Sequence, residues 1–219
     1  MTANELVQKV ILRATGDTYT GTFGDDDSDK VLAYSDQKID SWAKEADWNS
    51  LYDPGVNCGT ITATDTFDLD DTIRMVSNHA DDYVQIERTD GNLSNYQTVP
   101  AEDLKRYTTG NYCARIGSTL KFNNAFTTDS PDYGGTLKVP AFIYPDHLVN
   151  STDTVPVDDP NWLVAAICAD WVQNDITLAQ NRNDFLAEAN DLLMAMKKNN
   201  NAQVNTIVMR PLTPELRSW

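Results

Sequence analysis

The stretch Pro160-Asn161-Trp162-Leu163-Val164-Ala165-Ala166-Ile167-Cys168-Ala169-Asp170, followed by Phe185-Leu186-Ala187-Glu188-Ala189-Asn190-Asp191-Leu192-Leu193-Met194-Ala195-Met196, decides how this chain is read. Asp158-Asp159 before Pro160 is a helix start, because an acid satisfies and complements the free N–H groups of a first turn and proline needs no donor there. The run Trp162–Ala169 has no polar break, so the helix it forms is buried on every side. It is too short to span a bilayer. The second segment is periodic: Phe185, Ala189, Leu192, Leu193 and Met196 recur at helical spacing, with Asp184, Glu188, Asp191, Lys197 and Lys198 opposite. A helical hairpin or bent helix results, broken between Asn174 and Asn183 and ended by Asn199-Asn200-Asn201.

Working outward, Thr2 and Glu5 form a capping-box pattern for a short helix ending near Gly16. A second helix is expected from Ser28 or Asp29 to about Trp48, with Val31, Leu32, Ile39, Trp42, Ala43 and Ala46 as its apolar stripe. Asp53-Pro54-Gly55 reads as a turn. From Cys58 to Tyr144 the pattern changes to short β-like runs: 59–64, 66–69, 73–78, 83–86, 112–116, 119–122 and 136–144, with Gly117-Ser118 as a hairpin turn. Thr98–Leu104 reads as a helix entrance. The end of the chain combines a strand-like Val204–Met209 with two prolines and a terminal tryptophan. It is either an arm seeking a neighbour or a tail on its own domain.

The expected fold is therefore α+β. A helical bundle or hairpin core carries an inserted small antiparallel β domain and an extended C-terminal arm. The boundaries are 1–56 for the N-terminal helices, 57–150 for the β-rich insertion, 151–200 for the segment completing the helical core, and 201–219 for the arm.

Composition narrows function. With 41% hydrophobic and 23% charged residues the chain is globular rather than disordered. A formal net charge of −16 argues against direct nucleic-acid binding and against anionic membrane surfaces. Cys58, Cys113 and Cys168 are widely spaced and only two histidines are present, so no zinc site is expected and the thiols read as reduced. The first residues lack a signal-peptide pattern.

No catalytic constellation emerges. Asp25, Asp27 and Asp29 have the opening spacing of a calcium loop, but Lys30 stands where glycine is needed and Asp36 where a bidentate glutamate is needed. They read as a solvated helix cap. His79 and His147 are the possible imidazole bases, and both read as loop or interface residues. No serine sits in a nucleophile elbow and the glycines at 16, 21 and 24 form no phosphate loop. Neither catalytic residues, metal ligands nor a cofactor are assigned.

The order of parts, however, resembles a known family. "KIDSWAKEADWNSL" (Lys38–Leu51) precedes a β region containing "GSTLKFNNAF" (Gly117–Phe126) and "LKVPAFIYPDHL" (Leu137–Leu148). "VPVDDPNWLVAAICADWVQND" (Val155–Asp175) and "NRNDFLAEANDLLMAMKKNN" (Asn181–Asn200) close it. This layout is similar to the head-to-tail connector, or adaptor, proteins of tailed bacteriophages. The resemblance implies a non-enzymatic virion protein at the head–tail interface, made in the host cytoplasm. It further implies a homo-oligomeric ring of twelve copies beneath the portal protein, docking the next neck or tail protein. DNA would pass as cargo through a channel whose acidic lining repels it, and no membrane would be involved. The partner-binding element would be the arm, with Met209, Arg210, Pro211, Leu212, Leu216 and Trp219 contacting portal or neighbour. Two other classes remain open: a carbohydrate- or receptor-binding β module of a virion, with exposed aromatics on the sheet, and a small hydrolase using His79 or His147.

Overall fold

The computed structural model describes residues 1–77, 79, 81–174 and 181–208. The chain divides into two compact units, Met1–Asn49 with Pro145–Trp219, and Ser50–Tyr144.

The first unit is helical. Helix α1 (Ala3–Thr15) starts where the sequence places it: Thr2 Oγ1 accepts the Glu5 N–H at 3.2 Å while Glu5 accepts the Thr2 N–H at 2.8 Å. It ends at Gly16, whose φ of 82° needs a residue without a Cβ. Helix α2 (Asp26–Glu45) starts earlier than expected, because Asp25 serves as N-cap and accepts the Ser28 N–H at 2.9 Å. Helix α3 (Pro160–Trp171) begins on Asp159, which accepts the Asn161 N–H at 2.9 Å. Every residue from Trp162 to Ala169 is buried, and α1, α2 and helix α4 (Arg182–Val208) all pack on it. After α2, Trp48 folds back so that its ring stacks on Trp42 at 4.9 Å and its Nε1 donates to the Trp42 carbonyl at 2.7 Å.

The end of α4 departs from the sequence reading. The asparagine run does not stop the helix, and the segment expected to be a strand from Val204 is helical to Val208. Asparagine breaks helices when its side chain competes for its own backbone. Asn200 is instead buried and fully engaged elsewhere, accepting the Asn49 N–H at 2.9 Å and donating to the Asp47 carbonyl at 2.8 Å. At the other break, α3 gives way to a short 3₁₀ turn, Val172–Asn174.

The second unit is an eight-stranded curled mixed sheet. Its strands are β1 (Tyr52–Thr60), β2 (Thr66–Asp68), β3 (Ile73–Val76), β4 (Val84–Glu87), β5 (Leu93–Thr98), β6 (Tyr112–Ile116), β7 (Thr119–Phe122) and β8 (Thr136–Ile143). The order is β1-β8-β4-β5-β6-β7-β2, with β3 also paired to β8. All pairs are antiparallel except β5 with β6.

This overturns the expectation of a helical-bundle core with a small antiparallel insertion; of the expected arm, residues 201–208 are helical and 209–219 lie outside the described residues. The sheet is large, mixed, and has a core of its own. Val84 and Ile86, Leu137 and Val139, and Leu120 and Phe122 alternate inward. Aromatic rings fill the centre, with Tyr96 4.9 Å and Phe126 5.0 Å from Phe122 between centroids. Asp53-Pro54-Gly55 is not a turn but part of β1. That strand lies at the sheet edge, where a proline removes no ladder bond, and its register shifts after Asp53 and again after Asn57.

Gly135 tests the close approach of β8 to β4. A Cβ there would lie 2.8 Å from the Glu87 carbonyl oxygen and 2.8 Å from Ile86 Cγ2. Backbone cannot yield as a flexible side chain does. Gly135→Ala is therefore expected to lower stability by roughly 1–3 kcal/mol, read as a fall in urea midpoint. Gly91→Ala, where nothing lies within 4 Å of the new atom, separates the cost of positive φ from that of a clash.

Candidate functional site

The residues assigned to partner binding, Met209, Arg210, Pro211, Leu212, Leu216 and Trp219, lie outside the described residues. The helix leading to them is described, and its surface is unusual. Ala189 and Met196 are buried, whereas Phe185, Leu186, Leu192 and Leu193 are only half-buried and Met194 is 67% exposed. Arg13 of α1 pairs with Glu188 and lies 5.4 Å over the Phe185 ring, fixing the start of α4 against α1. Polar pairs such as Lys197 Nζ to Glu45 at 2.6 Å hold its later turns.

The two histidines have different surroundings. His79 is exposed, and its ring stands 6.3 Å from that of Phe142. His147 follows the sheet unit and bonds back to α2, with Nε2 3.0 Å from Asp40 and Nδ1 3.9 Å from Asp36. The Asp40 hydrogen bond, aided by the charges of Asp36, Asp40 and Asp146, raises its pKa above the ordinary value of 6.5. Burial raises the Asp36 carboxyl as well. No nucleophile is placed beside either ring among the described contacts. Burial pushes the Cys113 and Cys168 thiols up to about 12 and raises that of Cys58, so none is poised as a thiolate. Asp25 is spent on the α2 cap, and among the described residues no group of three ligating side chains converges.

A polar cluster in the sheet unit was not foreseen. Asp132, in the turn before β8, is 4% exposed. Its carboxylate accepts from Ser94 Oγ at 2.5 Å, Tyr96 OH at 2.6 Å and Arg88 Nε at 2.6 Å. Burial opposes its charge, but these three donors outweigh it and hold the carboxyl below its ordinary range. Burial and the neighbouring carboxylate drive the Tyr96 hydroxyl far upward, so it stays a donor. The four residues come from β5, the end of β4 and a turn some forty positions later, so no local spacing announces them. The visible signal is negative: Ser94 and Tyr96 face inward on a strand with few apolar residues.

With this geometry in view, no family model matches the chain, and no curated protein matches it. Among the described residues no helix is long and apolar enough to cross a membrane.

Two outcomes follow. Because the folded-state pKa of His147 is raised, its contribution to stability is present in full below pH 6.5 and is lost as pH rises through the folded value. The wild type should thus lose melting temperature relative to His147→Gln between about pH 6 and pH 8, and parallel pH profiles would refute the pairing. Removing the Asp132 charge leaves Arg88 and Tyr96 with a weaker partner. Asp132→Asn should destabilise the sheet unit by about 2–4 kcal/mol in chemical denaturation.

Proposed function

We propose that this protein is a structural virion component, a head-to-tail adaptor that assembles as a ring beneath the portal, extends the DNA channel and docks the following neck or tail protein. The observation that carries the reading is apolar surface on α4 that the described residues leave partly covered. Phe185, Leu186, Leu192 and Leu193 are half-buried beside the buried Ala189 and Met196, and Met194, on the opposite side of the helix, is 67% exposed. Apolar surface of this extent costs free energy in water, about 25 cal/mol for each Å² left exposed. A copy of the same chain is a partner that can cover it repeatedly. The layout supports the same reading. Segments from both ends of the sequence meet in one helical unit, so the sheet is offered as a separate module for a second partner. The excess of acids over bases suits a conduit that DNA slides through rather than adheres to.

A receptor-binding role is the second reading, favoured by Tyr83, Tyr133 and Tyr144, each 40% or more exposed in the sheet unit.

The experiment is immunoelectron microscopy of the virus particles that carry this chain, together with incorporation of variants. Label at the single vertex joining head and tail is expected, whereas label at fibre tips would replace the adaptor reading with receptor binding. Leu193→Lys with Met194→Lys should keep the wild-type melting curve and reduce incorporation into particles at least about tenfold. Deletion of 210–219 should likewise leave a folded chain that no longer joins the particle. Normal incorporation of both variants would overturn the assignment of these surfaces.

A further inference from the structure

The Asp132 cluster borders a cavity of about 230 Å³. It is lined by Arg88, Tyr96, Asn111, Asn124, Phe126 and Ser130 among others. Asn111 already donates from Nδ2 to the Asn95 carbonyl at 3.3 Å and Ser130 Oγ accepts the Thr127 N–H at 2.9 Å, which leaves Asn111 Oδ1 and the Ser130 hydroxyl proton for a ligand. Arg88 is 29% exposed, and its two terminal nitrogens make no hydrogen bond among the described residues. Its Nε is held by a carboxylate that Ser94 and Tyr96 hold in turn. The fork is therefore oriented by groups that are themselves fixed, and a planar guanidinium so oriented matches a carboxylate with two parallel hydrogen bonds. Asn124 is exposed and makes no side-chain hydrogen bond among the described residues, so its amide is open to a ligand. Amide and hydroxyl groups beside an aromatic wall are the complement of a sugar ring, whose hydroxyls alternate donor and acceptor around apolar C–H faces.

We propose that this cavity binds an acidic monosaccharide residue of the uronic-acid class, with its carboxylate on the terminal nitrogens of Arg88 and its hydroxyls on Asn111, Asn124 and Ser130. The volume admits one pyranose ring. Asp132 does not contact the sugar as a base. Its oxygens already accept from Arg88, Ser94 and Tyr96, and its part is to position Arg88. Because Asp132 also balances the Arg88 charge, selectivity for the acidic sugar rests on bidentate geometry rather than on net attraction, and binding of a single residue is weak. The inference does not depend on the adaptor reading, since the cavity lies wholly within the sheet unit.

The test is a titration of the isotope-labelled full chain, followed by amide resonances, with methyl glucuronide, methyl glucoside and acetate. Methyl glucuronide should shift amides of residues 88, 110–111, 123–124 and 130–132 and leave the helical unit unmoved. Methyl glucoside and acetate should each bind at least about tenfold more weakly, the loss expected for one charge-assisted pair or for the ring contacts. Arg88→Gln should lower affinity for the glucuronide at least about tenfold. Asn124→Ala should lower it severalfold without a change in melting temperature, and carries the test if Arg88→Gln perturbs folding. A glucuronate-ended oligosaccharide binding more tightly than the monosaccharide would identify a glycan chain as the source, and equal affinities a free sugar. Equal response to glucoside or acetate, shifts elsewhere, or no shifts would overturn the proposal.

Discussion

Helix α3 has no side that can face water. Eight consecutive residues, Trp162 to Ala169, are buried, so α3 is stable only when α1, α2 and α4 surround it together. Burial of a large side chain is worth about 1.5–3 kcal/mol. The run therefore dominates the unit, yet none of that energy is available to α3 alone. The covering helices come from both ends of the chain, which forces residues 1–49 and 145–208 into one body and leaves the intervening segment to fold by itself. The large sheet is a consequence. Enclosed between two parts of another core, it needs a full core of its own, and the cluster around Phe122 supplies one.

Asp132 occupies the comparable place in the sheet unit, by a different physics. A buried carboxylate pays a desolvation cost that apolar residues of the same volume would not, so its network is not a cheap source of stability. What it provides is position. It ties the turn before β8 to β4 through Arg88 and to β5 through Ser94 and Tyr96, three partners that apolar packing would hold less specifically. The same ties fix the direction of the Arg88 fork.

The legibility of the fold follows from where each signal lives. Helix starts were readable because caps are local: Thr2 with Glu5, and Asp159 with Pro160, act within one turn. The β6–β7 hairpin was readable from Gly117-Ser118 for the same reason. Apart from the start of α2, where the local Asp25 cap lies three residues before the expected start, the failures were long-range. Strand β5 went unread because its inward residues are polar, their partner Asp132 lying 36 and 38 positions away. The parallel pairing of β5 with β6 needs a crossover that no turn residue encodes. The asparagine run ending at Asn201 was read as a stop because nothing in its neighbourhood shows that Asp47 and Asn49 will occupy Asn200. The partly covered face of α4 was visible as an apolar period, but periodicity says which residues share a face, not whether the fold covers it.

Because each unit owns a complete core, the two surfaces argued to matter are energetically separable. The α4 stripe can be altered without touching the sheet, and the Arg88 cavity without touching the helices, since substitutions without shared partners add nearly independently. Selection could therefore tune the proposed ligand pocket on the sheet while holding the helical surface constant, as the proposed assembly of identical copies would require. An interface repeated around a ring penalises every change as many times as it recurs, whereas a pocket within one unit bears each change once. In the proposed ring the helical face would carry the stricter constraint, and the sheet would be where specialisation accumulates.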